Sequence, residues 1–296
     1  MSPRVSLVVP TLNAGSEIGP LLESILGQTI VPDEVLVIDS SSDDDTSEVV
    51  GSYRDRGVLL EVIDRADFNH GGTRDYAFSR TSGEYTLFMT QDALPASRHY
   101  VESLISPFDA NCSVALVSGR QLPKSSARRF EQLVREFNYP SEPSVRDAGD
   151  LARFGIKTFF ASDVCSAYRR DAYVECGGFD RVNTNEDMLM AARFIGSGYA
   201  VAYEPSAAVY HSHNLTPLQQ FNRNREVGAF LAVHAGEFMG ASEFGEGGRL
   251  VKFVSAALLR EGRVRELAAF GVDCAARLLG NRIGRLSAKE LWKEMV

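Results

Sequence analysis

Gly83-Glu84-Tyr85-Thr86-Leu87-Phe88-Met89-Thr90-Gln91-Asp92-Ala93-Leu94-Pro95 is the stretch that decides the fold. Tyr85 to Met89 is a short apolar run with glycine before it and proline after it, the pattern of a strand covered on both faces. Asp92 follows where the chain leaves the sheet. A carboxylate there is costly unless it is solvated, paired or bound to a metal. Two readings stay open at this point. Asp92 caps the helix that begins near Ser97 or closes a turn, or it holds a divalent ion.

The chain before this stretch repeats its pattern. Val5 to Val9 is strand-like and runs into the turn-rich Pro10-Thr11-Leu12-Asn13-Ala14-Gly15. Ile18, Leu21, Leu22, Ile25 and Leu26 then form one helical apolar stripe. Val35 to Ile38 is a second strand ending at Asp39, and Ser40 to Thr46 offers N-caps to the next helix, whose inner face holds Val49, Val50 and Tyr53. Val58 to Ile63 is a third strand, followed by Asp64 to Arg74 and a helix from about Thr73 to Thr81. Alternating strands and helices predict an α/β fold with a mostly parallel, Rossmann-like sheet and right-handed crossovers. Such sheets bind ligands outside the carboxyl ends of their strands. The loops at Thr11 and Asn13, at Asp39, at Asp67 to Arg74 and at Asp92 all follow strand ends, so they converge on one rim.

Composition narrows the class. At 296 residues the chain is long enough for one large domain with additions, or for two domains. A net charge of −8 argues against general nucleic-acid binding, which needs a basic footprint. No window has the roughly 18 to 20 apolar residues of a membrane span. No secretory signal is read at the N-terminus, where the apolar run ends at Pro10. Cys112, Cys165, Cys176 and Cys274 form no CxxC pair or zinc spacing, and read as reduced thiols of a cytoplasmic protein.

Beyond Asp92, residues 97 to 108 read as helix and Val114 to Val117 as strand. Leu122 to Ile156 is charged and weakly periodic, the profile of a mobile functional loop. Lys157 to Arg170 returns to the core. Gly177-Gly178-Phe179-Asp180 and Asn183-Thr184-Asn185-Glu186-Asp187 precede a helix with Met188, Ala191, Ala192 and Ile195 inward, and Val209-Tyr210-His211-Ser212-His213 follows the strand at Ala200 to Tyr203. From about Thr216 the chain reads as helical. Residues 249 to 293 mix apolar positions with basic ones such as Arg265, Arg282, Arg285, Lys289 and Lys293. This pattern fits either a helical subdomain that packs on the core or dimerises, or peripheral contact with an anionic membrane.

In this order, Val5 to Asn13, the Asp39 loop, Asn69-His70-Gly71-Gly72-Thr73-Arg74, Thr90-Gln91-Asp92-Ala93, Gly177 to Asp180, Glu186-Asp187 and His211-Ser212-His213 resemble the GT-A glycosyltransferases of family 2. The Asn-His-Gly-Gly-Thr-Arg and Thr-Gln-Asp-Ala variants resemble its bacterial rhamnosyltransferase branch. The resemblance covers about residues 4 to 230. It implies a GT-A domain over 1–230, with 1–119 for the nucleotide sugar and 120–230 for acceptor and catalysis, and a helical C-terminal extension over 231–296. It also implies inverting transfer from a nucleoside diphosphate sugar, dTDP-L-rhamnose first, to a hydroxyl of a saccharide or lipid-linked saccharide. Surface-polysaccharide synthesis at the cytoplasmic face of a membrane would be the setting.

Carried over residue by residue, the resemblance places Pro10, Thr11, Asn13, Ala14, Asp39 and Ser41 around the nucleoside. Asp39 would accept the pyrimidine N3–H. Asn69, His70, Gly72 and Arg74 would lie along ribose and diphosphate, with Gly71-Gly72 permitting close backbone approach and Arg74 offering its planar donors. Gln91 and Asp92 would also face the donor. The family carries Asp-x-Asp where this chain has Thr90-Gln91-Asp92, so one carboxylate is missing. Asp92 with phosphate oxygens, water and a histidine at His211 would hold Mn²⁺ or Mg²⁺; His213 reads more as a core or turn histidine, and the choice between the two as ligand stays open. Asp187 would be the base, with its pKa raised by Glu186 and partial burial. The rival readings are another UDP- or dTDP-sugar donor, a nucleotidyltransferase, and a non-catalytic sugar-nucleotide-binding protein. The absence of a basic residue from Pro10 to Gly15 counts against the nucleotidyltransferase.

Overall fold

The computed structural model describes residues 4–241, 246–288 and 290. Lys289 and Lys293 lie outside them. The first half alternates as the sequence predicts: β1 (Val5–Thr11), α1 (Gly15–Leu26), β2 (Glu34–Asp39), α2 (Thr46–Gly51), β3 (Val58–Val62), α3 (His70–Ser79) and β4 (Tyr85–Met89). Then come β5 (Leu94–Pro95), α4 (Tyr100–Ala110), β6 (Val114–Leu122), α5 (Arg129–Asn138), β7 (Ser144–Arg146), α6 (Leu151–Phe154), β8 (Cys165–Arg169), α7 (Arg170–Glu175), α8 (Glu186–Gly196) and β9 (Ala200–Tyr210). The chain closes with α9 (Pro217–Val233), α10 (Glu246–Arg260) and α11 (Val264–Leu286).

All of β4 is buried, as its apolar run requires. It lies inside a sheet of order β3-β2-β1-β4-β8-β6-β9-β5, with β7 on β9. Strands β1 to β4 pair in parallel. The sheet is mixed beyond them, because β8 runs antiparallel to both β4 and β6 while β9 is parallel to β6. Ile18, Leu22, Leu104 and Phe108 pack on one face and Phe78, Leu189, Phe194 and Ile195 on the other. The carboxyl ends of β1, β2 and β4 therefore share one rim. Asp92 does not cap the following helix: α4 starts at Tyr100 with His99 at its N-cap.

The expected loop over 122–156 is instead built from α5, β7 and α6. Phe130, Leu133 and Val134 of α5 bury against Val254 and Leu258 of α10 and Phe270 of α11. The charges that disguise this helix have fixed partners, as in the 2.6 Å Arg129–Glu261 pair.

The C-terminal helices pack on the core. A division at residue 230 falls inside α9, and α9 crosses α11 backbone to backbone. A Cβ on Gly280 would stand 2.3 Å from the Phe221 carbonyl oxygen, one on Gly284 1.9 Å from that of Arg225, and one on Gly228 2.2 Å from that of Asn281. Rigid carbonyls cannot yield as a flexible side chain would. Gly284→Val is therefore expected to force the helices apart and cost about 2 kcal/mol or more, seen as an earlier urea-unfolding midpoint; an unchanged midpoint contradicts this packing. The outward face of α11 exposes Val272, Leu278, Leu279, Ile283 and Leu286, interspersed with Arg265 and Arg282 and no acidic residue. Among the described residues no helix is long and apolar enough to cross a membrane.

Candidate active site

A cleft of about 430 Å³ opens at the shared rim, lined by Pro10, Thr11, Leu12, Ser40, Arg65, Phe68, His70, Arg74, Gln91, Asp92 and His213 among others. Gln91 ties two of its loops together. Its Oε1 accepts from the Leu12 N–H at 2.8 Å and its Nε2 donates to the Leu12 carbonyl at 3.1 Å.

Asp92 meets two histidines. Its Oδ2 lies 3.4 Å from His211 Nε2 and 3.3 Å from His213 Nε2, and the two Nε2 atoms are 3.1 Å apart. Asp92 Oδ2 is buried and accepts no hydrogen bond. His211 and His213 follow directly on the end of β9, and both rings reach the same point beside Asp92. The Gln121 amide donates to Ser162 Oγ at 2.8 Å, so its Oε1 faces His211 Nδ1 at 3.0 Å. The Nδ1 therefore carries the proton and the Nε2 presents a lone pair. Burial pushes the His211 pKa down to about 3, so its ring is neutral. Burial opposes ionisation of Asp92, but the positive charge of Lys124, 3.6 Å away, favours it, and the carboxyl sits below the ordinary range. An ionised oxygen without a hydrogen-bond donor, beside the bare Nε2 of His211 and with His213 Nε2 turned to the same point, fits a divalent metal. The three ligand atoms lie within 4.8 Å of one another. His211 thus joins Asp92 as expected. His213, read from sequence as a core or turn residue, faces the same point.

A second cluster lies behind Arg74. Its guanidinium is buried and pairs with Glu186 at 2.8 Å and Asp163 at 3.5 Å. Burial would lower its pKa, but Glu186, Asp163 and Asp187 raise it, so it stays charged. Asp187 Oδ1 accepts from Met188 N–H at 2.7 Å and its Oδ2 from Asp163 N–H at 3.2 Å. Burial, with Glu186 and Asp163 beside it, raises the Asp187 pKa well above the ordinary carboxylate range. Asp163 is pushed up to about 6, mainly by burial, although Ser166 and Tyr168 donate to it at 2.6 and 2.7 Å. Three carboxyls share one guanidinium, so the cluster carries excess negative charge when all three are ionised. Arg74 lines the cleft and joins it to this cluster; Asp187 is partly exposed but is not in the cleft wall.

Of the other expected residues, Asn13, Ala14, Asp39, Ser41, Asn69 and Gly72 shape the rim without lining the cleft, whereas His70 lines it. Asp39 is buried and accepts from Thr11 Oγ1 at 3.1 Å, Ser42 N–H at 3.0 Å and Ser47 Oγ at 3.2 Å, so it orders the β2–α2 loop. Asn13 adopts a positive φ of 50° and accepts from Asp43 N–H at 2.8 Å, while Ala14 N–H donates to Thr46 Oγ1 at 2.7 Å. Ser41 donates to the Ile63 carbonyl at 2.7 Å. Its neighbour Ser40 lines the cleft with a hydroxyl that has no partner. Asn69 caps α3 through Gly72 N–H at 2.9 Å and donates to Asn183 Oδ1 at 2.6 Å. At Gly71 the close backbone neighbour is the Asp180 carbonyl, 2.0 Å from where a Cβ would stand. His70 lies edge-on to Phe68, and burial, then Arg74, lowers its pKa to about 4. Ser40, Arg65, Phe68, Lys124 and Asp163 were not singled out in the sequence. His213 had a usable signal in its i, i+2 spacing from His211.

Residues 6–177 match the family described as Glycosyl transferase family 2. The chain is 38% identical over 292 residues to the O-antigen chain rhamnosyltransferase RfbN of Salmonella typhimurium, covering 95% of this chain and 90% of that protein. It is also 38% identical over 294 residues to the O-antigen chain rhamnosyltransferase WbaN of Salmonella anatum, covering 96% and 90%. In structure it is similar to the mannosyltransferase PcManGT of Pyrobaculum calidifontis, solved with GDP-Man and Mn²⁺ (TM-score 0.65, 18% identity, 99% of this chain and 88% of that one). The rim of parallel strand ends, the family match and the near full-length relatives agree: this chain belongs to glycosyltransferase family 2 and is a glycosyltransferase of GT-A fold.

Proposed function

We propose that the chain transfers L-rhamnose, with inversion, from dTDP-L-rhamnose to a hydroxyl of a growing surface saccharide, free or lipid-linked. The observation that carries the reaction class is the Asp92–His211–His213 tripod at the cleft. The sugar rests on the two O-antigen rhamnosyltransferases that align along nearly the whole chain. Residues 1–119 supply most of the donor side and the residues that follow the acceptor side, with His211 and His213 reaching back to the donor.

The nucleoside lies against Pro10, Thr11, Ser40, Arg65 and Phe68, on a loop that Asp39 holds in shape, and the diphosphate faces Asp92. Asp92, His211 and His213 would hold a divalent ion, Mn²⁺ before Mg²⁺ because imidazole would supply two ligands. When bound, that ion offsets the negative charge that grows on the leaving diphosphate. Asp187 takes the proton from the acceptor hydroxyl. The acceptor oxygen bonds to the anomeric carbon as the bond from that carbon to the diphosphate oxygen breaks. Arg74 fixes Glu186 and Asp163, and so the charge around Asp187. We place the protein at the cytoplasmic face of a membrane, supported by the apolar and arginine-bearing outer face of α11; self-association through that face is the second use it allows.

The test is a panel of nucleotide sugars scored for Mn²⁺-dependent slow hydrolysis. dTDP-L-rhamnose is expected to lead the panel by at least about ten-fold, the scale of one well-placed contact. Preference for a UDP-hexose would overturn the donor assignment, and no hydrolysis or binding of any member would overturn the enzyme reading.

A further inference from the structure

His213 lines two spaces. The second is a cavity of about 220 Å³ between α5, α9 and α11, walled by Arg128, Arg135, Arg223, Arg277, Glu131 and Asp273 among others. Four guanidiniums face two carboxylates, an excess of two positive charges in a chain of net charge −8. The carboxylates hold two of the arginines in place: Arg135 Nε donates to Glu131 at 2.9 Å and Arg277 Nε to Asp273 at 2.6 Å. The Gln220 amide oxygen, turned as its neighbours require, also accepts from Arg277 at 2.7 to 3.0 Å. Arg128 donates to the Leu215 carbonyl at 2.5 Å and lies over the Phe130 ring at 5.0 Å. Arg223 has no hydrogen-bond or ion-pair partner among the described residues. Desolvation in the cavity wall, then the charges of Arg135 and Arg277, lower its pKa, which marks three guanidiniums crowded together.

Fixed cations that repel one another are stabilised by an anion between them, and guanidinium forks match phosphate oxygens. The excess of two charges suits a phosphate dianion or a diphosphate better than a single carboxylate. The space is below the usual range for a drug-sized ligand, so it fits a headgroup and not an oligosaccharide. The donor's own diphosphate already has its place at the tripod. An anion held here lies beside His213, next to the reaction centre, and so belongs to the other substrate. Resting on the transferase reading above, we propose that this cavity is the phosphate subsite of the acceptor, and that the acceptor is a saccharide carrying a phosphate or diphosphate ester.

The test is calorimetric titration of the full chain with inorganic pyrophosphate in the presence of a chelator, on the unsubstituted protein, Arg223→Gln, Arg223→Lys and Asp92→Asn. Arg223 keeps solvent access beside the cavity it lines and has no hydrogen-bond or ion-pair partner among the described residues, so its substitutions are expected to leave the packing intact. One site is expected, weakened about ten-fold or more in R223Q, partly restored in R223K and unchanged in D92N. Weakening by D92N with R223Q unaffected would put the pyrophosphate in the donor cleft and overturn the proposal, as would no binding at all. Phosphatidylglycerol vesicles form a second arm. R223Q is expected to bind them as well as the unsubstituted chain does; loss of vesicle binding alone would assign the cavity to a membrane headgroup and overturn the acceptor assignment. Donor hydrolysis measured on R223Q separates the two claims: retained hydrolysis with no pyrophosphate site removes only the subsite, whereas no hydrolysis by the unsubstituted chain removes the transferase reading itself.

Discussion

Asp187→Asn should leave donor affinity within about two-fold of the original and lower transfer by about a thousand-fold, the range expected when a positioned base is lost. The amide keeps an oxygen to accept the Met188 and Asp163 N–H donors, but it cannot take a proton. A pH profile separates this from a general loss of packing. Burial, Glu186 and Asp163 raise the Asp187 pKa, and the base works as the anion. The rate of the unsubstituted chain should therefore fall on the acid side, at a pH above the ordinary carboxylate range, and the residual rate of D187N should lack that limb. Stability runs the other way. A carboxyl whose folded pKa is raised binds its proton more tightly in the native state. The contribution of Asp163 is then complete below its unfolded value and is lost as pH rises through about 6. Near-normal turnover by D187N would remove Asp187 from the chemistry.

The second large effect is expected at Asp92. Asp92→Asn replaces the only anionic ligand of the tripod with a neutral amide and leaves His211 and His213 facing a weaker partner. Mn²⁺ affinity, read from the free-ion signal in electron paramagnetic resonance, should fall by about a hundred-fold or more, since removing outer-shell partners alone costs 10- to 100-fold. Transfer should fall with it. Unchanged Mn²⁺ affinity would mean that the ion binds elsewhere. On the proposed reading, the carboxylate absent at Thr90 is replaced in the ligand set by a second imidazole, that of His213.

The donor half was legible because its strands are continuous apolar runs that end in polar loops, as from Tyr85 to Asp92. That pattern depends on local sequence alone. The second half was harder because its signals are completed by distant segments. In α5 the apolar residues Phe130, Leu133 and Val134 sit among Arg129, Glu131 and Arg135, and these charges read as a solvated loop until Glu261 and Gln121 are brought beside them. The same holds at the site. Asp92 and His211 could be named from the motif order, but Asp163 precedes a strand like any turn residue, and only folding places it against Arg74. Arg74 was expected on the diphosphate; its guanidinium is already engaged by two carboxylates, which no local spacing announces. Asp39 likewise spends its oxygens on Thr11, Ser42 and Ser47.

The central claim is that the Asp92–His211–His213 tripod holds the donor's diphosphate through a divalent ion. Calorimetric titration of the unsubstituted chain with dTDP-L-rhamnose, once in Mn²⁺ and once in chelator, tests it most directly. The account predicts one donor site in Mn²⁺ and at least about a hundred-fold weaker binding in chelator, equivalent to about 2.7 kcal/mol. Equal donor affinity in the two conditions would contradict it.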